Sequence, residues 1–100
     1  MADIVVQDNP SELRYELLLD GHVVGEILYR LAPDALVLLH TEVLPSHENK
    51  GFGARLVAGA LDDIRARGLH VVAVCPFVRS YIRRYPDYAD LVVRNAGVPD

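Results

Sequence analysis

The chain predicts an α/β fold, a mainly antiparallel mixed sheet of about five strands with a crossover helix and a short C-terminal helix. Three observations predict it. From Ile4 to Val43 the apolar residues alternate or run in short stretches, as strands require. Between Leu56 and Ile64 the period becomes helical. A second β-branched run and a second helical stripe follow.

The elements follow in order. Ile4–Val6 is a short apolar run, and "QDNPS" after it reads as a turn cluster. Leu13, Tyr15, Leu17 and Leu19 alternate with Arg14 and Glu16, the pattern of a half-buried strand. Asp20-Gly21 then predicts a tight hairpin, because both residues tolerate positive φ. "VVGEILYR" is the returning strand, "LAPD" the next turn, and Ala35–Val43 a longer strand, so the first half is an antiparallel meander. Leu56, Val57, Ala60, Leu61 and Ile64 make one helical stripe, with Asp62, Asp63, Arg65 and Arg67 largely opposite and Gly68 as the stop. "LHVVAVC" reads as a buried strand. Pro76 opens the last helix, with Phe77, Val78, Tyr81 and Ile82 on one stripe, Arg79, Arg83 and Arg84 opposite, and Pro86 closing it. From Asp87 onward no period is visible.

Composition narrows the function. One hundred residues suit one domain, 1–100, with a single modest core. At 51% hydrophobic and 24% charged the chain reads as a soluble globular protein. A formal charge of −4 argues against nonspecific nucleic-acid binding, which needs a basic stripe. Cys75 stands alone, so no internal disulfide points to secretion. With no charged-then-apolar leader and no run near the roughly 18 apolar residues of a membrane span, the expected address is cytoplasmic, with no membrane partner. His22, His40, His47 and His70 lack ligand spacing and one cysteine cannot build a structural zinc site, so no metal is expected.

"HENKGFGARL" carries the functional signal. Two glycines one residue apart sit between a strand and a helix, where unpaired N–H groups and the helix dipole suit an anion. The run lacks the third glycine of a dinucleotide fingerprint and the Gly-Lys-Ser/Thr ending of a nucleoside-triphosphate loop. A phosphate turn and a plain tight entry to a helix both remain open.

Other residues also carry two readings. His40 and Glu42 lie two apart on one strand and therefore share a face, which the alternation continues through Leu36 and Leu38. They either take a proton from a substrate amine or make ordinary strand-end hydrogen bonds. Cys75 either fills the core or, at the end of a strand and beside a helix N-terminus, serves as a reactive thiol.

Residues 40–91, from "HTEV" through the Gly-x-Gly turn and "CPFV" to "YPDYADL", resemble the GNAT superfamily of N-acetyltransferases, in particular its compact stand-alone branch of about a hundred residues. "RYELLLDGHVVGEILYR" extends the likeness to the family hairpin. The resemblance implies acetyl-CoA as substrate, an unidentified amine as acceptor, and no metal. It implies that backbone amides of Lys50, Gly51, Phe52, Gly53 and Ala54 hold the pyrophosphate of coenzyme A, and that the strand end at Val43 pairs with the pantetheine arm. It further implies either direct attack by the amine on the thioester or a ping-pong route through an acyl-cysteine, for which Cys75 occupies the matching position. Tyr81 is the candidate acid for the leaving thiolate, or else a core residue. The family turn reads "RGQGIG", whereas this chain has "ENKGFG": Glu48 replaces a basic or amide residue and Asn49 a glycine. An acidic side chain there predicts weakened CoA binding, which Lys50 offsets in part. Two alternatives follow from Glu48, a non-catalytic CoA or acyl-CoA-binding module and a structural domain that has lost the ligand.

Overall fold

Period-two alternation folds the first half of the chain into four antiparallel strands in the computed structural model, which describes residues 2–93. These are β1 (Ile4–Asn9), β2 (Arg14–Leu19), β3 (His22–Ala32) and β4 (Ala35–Val43). Helix α1 (Phe52–Ala66) crosses over to β5 (His70–Ala73), and α2 (Pro76–Arg84) follows. The sheet order is β1-β2-β3-β4-β5, with β5 parallel to β4 and all other pairs antiparallel. The fold is therefore the α/β mixed sheet that the alternation and the change of period predict.

Local chemistry accounts for the joints. Asp20 and Gly21 both take positive φ, 49° and 85°, which closes β2 onto β3 with a two-residue turn whose twist matches the strands. The turn before β2 is displaced from its expected place. Gln7, Asp8 and Asn9 continue β1, and the reversal falls at a 3-10 turn over Pro10–Glu12. Asn9 and Gln7 donate side-chain hydrogen bonds to Glu16 on β2, so polar cross-strand pairs extend the ladder past the apolar run. Leu31 and Ala32 likewise belong to β3, leaving Pro33 and Asp34 as the turn. β5 is shorter than its apolar run, ending at Ala73. The tail that shows no period forms a 3-10 stretch, Pro86–Leu91, and Val92 bridges in parallel to Val71; residues 94–100 of that tail lie outside the described residues.

The core lies between the sheet and one helical layer. Leu56, Val57, Ala60, Leu61 and Ile64 of α1 are buried against Leu17, Ile27 and Leu38 of the sheet, and Val78 and Ile82 of α2 join the same cluster. Tyr15 is fully buried, yet its hydroxyl donates to Asp63 at 2.6 Å, and Tyr29 donates to Asp8 at 2.7 Å. Burial first, then the bond to Asp63, pushes the Tyr15 hydroxyl far above its ordinary range. Arg67 reaches Tyr15, Asp8 and Asp63, tying the end of α1 to β1 and β2.

One irregularity governs the site. Leu28 pairs with His40 and Tyr29 with Leu38, so Leu39 is an extra residue in β4, a β-bulge. A bulge reverses the alternation beyond it. Leu36 and Leu38 face the helices; past Leu39 it is Thr41 and Val43 that face them, and His40 and Glu42 turn to the opposite side.

Candidate active-site cleft

β4 and β5 part company early. Their ladder ends at Leu38↔Ala73, while β4 runs on for five more residues. Leu38 closes the junction, its carbonyl accepting from both Val74 N–H (3.1 Å) and Cys75 N–H (2.9 Å). Beyond that point the chain turns into α2, whose first helical residue is Pro76, a position where the missing N–H costs nothing. The divergence leaves a cleft of about 390 Å³ between the end of β4, the first turn of α1 and the start of α2.

The glycine turn forms one wall. Gly51 is the N-cap of α1 with φ 79°, a left-handed conformation that side chains resist. Asn49 also takes positive φ, 64°. Asparagine is among the side chains that best tolerate this region, so its place where the family turn has glycine is conformationally conservative. Arg55 N–H makes the first helical bond, to Gly51 O at 3.1 Å. The N–H groups of Phe52, Gly53 and Ala54 therefore have no helical partner, and no side chain caps this end. Gly53 has a different cause: a Cβ there would lie 2.9 Å from Cζ of Phe77, so the glycine lets that ring pack over the helix start.

Val43, Gly51, Phe52, Gly53 and Ala54 all line the cleft, together with Thr41, His47, Glu48, Asn49 and Phe77. Lys50 is exposed and does not line it. Cys75 sits just behind the wall. Cys75 is 2% exposed, and its thiol lies 3.3 Å from the hydroxyl of Thr41, a residue that lines the cleft.

The remaining candidates lie elsewhere. His40 and Glu42 do not continue the Leu36–Leu38 face, a correction that follows from the extra residue at Leu39. They are 60% and 69% exposed on the other side of the sheet, with His40 Nε2 3.8 Å from Glu42 Oε2. Tyr81 lines a separate hollow, its ring 4.6 Å from that of Tyr85. Burial, followed by the charges of Tyr85 and Asp62, raises its hydroxyl above the ordinary value. Thr41, His47 and Phe77 are the lining residues that sequence reasoning missed as site residues. Thr41 becomes inward-facing only through the bulge, and Phe77 reads from its stripe as core although its side of α2 overhangs the cleft.

Among the described residues no group of three or more His, Cys, Asp or Glu side chains converges as a metal site, and no helix is long and apolar enough to cross a membrane.

Comparison with known proteins agrees with this geometry. A family model described as GCN5-related N-acetyl-transferase matches residues 14–91. No curated protein sequence gives a significant match. Among solved structures, a GCN5-like protein from Staphylococcus aureus is 20% identical with a TM-score of 0.68, over 95% of this chain and 93% of that one. The ribosomal-protein-S18-alanine N-acetyltransferase from Escherichia coli is 15% identical with a TM-score of 0.61, over 87% of this chain and 76% of its own. The ribosomal-protein-alanine N-acetyltransferase from Brucella melitensis biovar Abortus 2308 is 19% identical with a TM-score of 0.54, over 87% and 67%. At these identities the structural likeness speaks for the fold.

Proposed function

The chain belongs to the GCN5-related N-acetyltransferase family, and from that premise we propose that it transfers the acetyl group of acetyl-CoA to an amine. The observation that carries the reading is the uncapped first turn of α1 opening into the cleft. The N–H groups of Phe52, Gly53 and Ala54, with the positive end of the helix dipole, suit the pyrophosphate of coenzyme A. The free end of β4 at Val43 offers backbone groups to the pantetheine arm, whose thioester end would then reach the region of Thr41. Glu48 lines the same cleft and opposes the phosphates, so this chain is expected to bind CoA more weakly than a relative with a basic residue there.

Direct transfer is the simpler chemistry. The amine attacks the thioester carbonyl and forms the C–N bond, the C–S bond breaks, the nitrogen gives up one proton to water, and the leaving thiolate takes up one. With Tyr81 in another hollow, that proton would come from water in the open cleft. His40 and Glu42 would serve as proton acceptors only for an amine arriving from the opposite side of the sheet. The acyl-cysteine route has one observation in its favour, the 3.3 Å contact from Cys75 to a cleft-lining hydroxyl. Against it stands the burial of the thiol, which would have to open to reach a thioester.

The test is release of free CoA thiol from acetyl-CoA in the presence of a panel of primary amines, with the intact mass of the protein read in parallel. Amine-dependent release that persists in Cys75→Ala supports direct transfer. A gain of one acetyl group that disappears in Cys75→Ala supports the acyl-cysteine route. CoA binding with neither result would make the protein a binding module, and no binding would leave a domain that has lost its ligand.

A further inference from the structure

Two side chains that line the cleft can carry charge, and they differ in sign. Glu48 opposes an anion at the first turn of α1, and His47 can become a cation beside it. Lys50, the other basic residue of this turn, is exposed and stands outside the lining. β4, α1 and α2 bring only neutral side chains to the cleft: Thr41 and Val43, Phe52 and Ala54, and Phe77. The electrostatics of the cleft wall therefore rest on His47 and Glu48.

Local structure holds the imidazole in place. His47 ends a 3-10 turn, Pro45–His47, and its N–H donates to Leu44 O at 2.8 Å. The residue is half-buried, whereas Ser46 and Glu48 on either side are exposed. Its Nδ1 lies 2.8 Å from the Ser46 hydroxyl, which occupies that nitrogen and leaves Nε2 for another partner. The ring lies 6.0 Å from that of Phe52, the first residue of α1, so it stands beside the unpaired amides of the helix start. Among the described residues no carboxylate, Glu48 included, comes within ion-pair distance of it. In the protonated ring Nδ1–H can donate to Ser46 Oγ while Nε2–H donates to an anion in the cleft, a charge-assisted bond. An anion favours the charged form of a neighbouring imidazole, so binding and protonation are linked.

We propose that His47, in its protonated form, is the side chain that meets the pyrophosphate of coenzyme A, so that binding takes up protons and tightens as pH falls. The inference rests on the reading of the cleft as a coenzyme A site. It assigns to His47 the positive charge that Glu48 removes from the turn. Histidine changes charge between about pH 5 and pH 8, so the affinity of this chain for the cofactor becomes sensitive to pH in that range.

The test is calorimetry and NMR on the full chain between about pH 8 and pH 5.5. The probe is dephospho-CoA, because the 3′-phosphate monoester of CoA itself titrates near about pH 6 and would mask the protein. The expected result is an affinity about twofold to fivefold higher at the acid end, the worth of one partly exposed ion pair. Heats measured in two buffers of different ionisation enthalpy should show fractional proton uptake on binding. The pH at which the His47 ring signals change should move upward in the complex, while those of His22, His40 and His70, which lie outside the cleft lining, stay in place. His47→Gln should bind as the wild type does at the alkaline end and lose the pH dependence, with unchanged sheet signals showing an intact fold. His47→Lys should bind at every pH as tightly as the wild type does in acid. Glu48→Gln should raise affinity and keep the pH dependence. Equal wild-type affinity across the range, or a pH dependence that survives in His47→Gln, would overturn the inference and leave the coenzyme A reading standing. No binding at either end would overturn both.

Discussion

Gly59→Ala offers a close test of how α1 is seated, and α1 is the element whose first turn lines the cleft. In an unobstructed helix interior this change stabilises by about 1 kcal/mol, because alanine loses less backbone freedom. Here an added Cβ would lie 2.7 Å from Cβ of Val6 and 2.8 and 2.9 Å from its methyl groups. Carbon atoms prefer roughly 3.5–4.0 Å, so helix and strand must separate by close to an ångström. Val6 Cβ is fixed to the backbone of β1 and cannot swing aside. Overpacking of this kind costs about 1–3 kcal/mol, and the rigid neighbour places it at the upper end. The net effect is a loss of about 1–2 kcal/mol, or about 5–15 °C in a domain of this size. Urea unfolding at constant m-value measures it. In a Val6→Ala background two of the three close contacts vanish, so the same glycine substitution should cost about 1 kcal/mol less. A Gly59→Ala protein more stable than the wild type, or one whose loss is equal in both backgrounds, would refute the seating of α1 on β1.

Three further predictions concern the site and the sheet. Glu48→Gln should tighten CoA binding by about 1.5-fold to fivefold, the range for one solvent-exposed charge interaction, with the gain shrinking as salt rises; calorimetry at two ionic strengths checks it. Thr41→Val should leave the melting temperature nearly unchanged while altering the rate at which Cys75 is alkylated, since the hydroxyl 3.3 Å from the thiol is lost; an unchanged rate would detach Cys75 from the cleft wall. Glu16 is 4% exposed and accepts hydrogen bonds from Asn9, Arg14 and Gln7, of which the Asn9 bond is the main cause holding its carboxyl below the ordinary 4.5. Its folded-state value is depressed, so the ionised form stabilises the fold; that contribution is present above about pH 4.5 and is lost as pH falls through the lower folded value. Glu16→Gln should therefore lower the melting temperature at pH 7 and converge with the wild type in acid. Parallel melting curves at every pH would contradict the assignment.

Much of the fold was legible because local chemistry and burial agree. The Asp20-Gly21 turn, the α1 stripe from Leu56 to Ile64 and the Pro76 helix start each follow from residues within a few positions of one another. What was not legible depends on partners distant in the chain. Gln7 and Asn9 read as turn residues until Glu16 on the neighbouring strand supplies their hydrogen-bond acceptor. The bulge at Leu39 leaves no mark in an uninterrupted apolar run, yet it decides that Thr41 rather than His40 faces the cleft. Tyr81 and Phe77 share a helical stripe, and only the placement of α1 and the 3-10 stretch sends one to the cleft and the other to the tyrosine hollow. In the glycine turn, spacing suggested an anion site, but it could not separate Gly51, needed for its backbone angle, from Gly53, needed for the Phe77 ring.

The central claim is that the first turn of α1 holds the pyrophosphate of coenzyme A. Backbone amide shifts on titration with CoA, compared with pantetheine alone, test it most directly. The account predicts saturable shifts that are largest at Phe52, Gly53 and Ala54 with CoA, and much smaller there with pantetheine, which lacks the phosphates. Shifts centred elsewhere, or none at millimolar CoA, would contradict it and leave the glycine turn as a helix entrance alone.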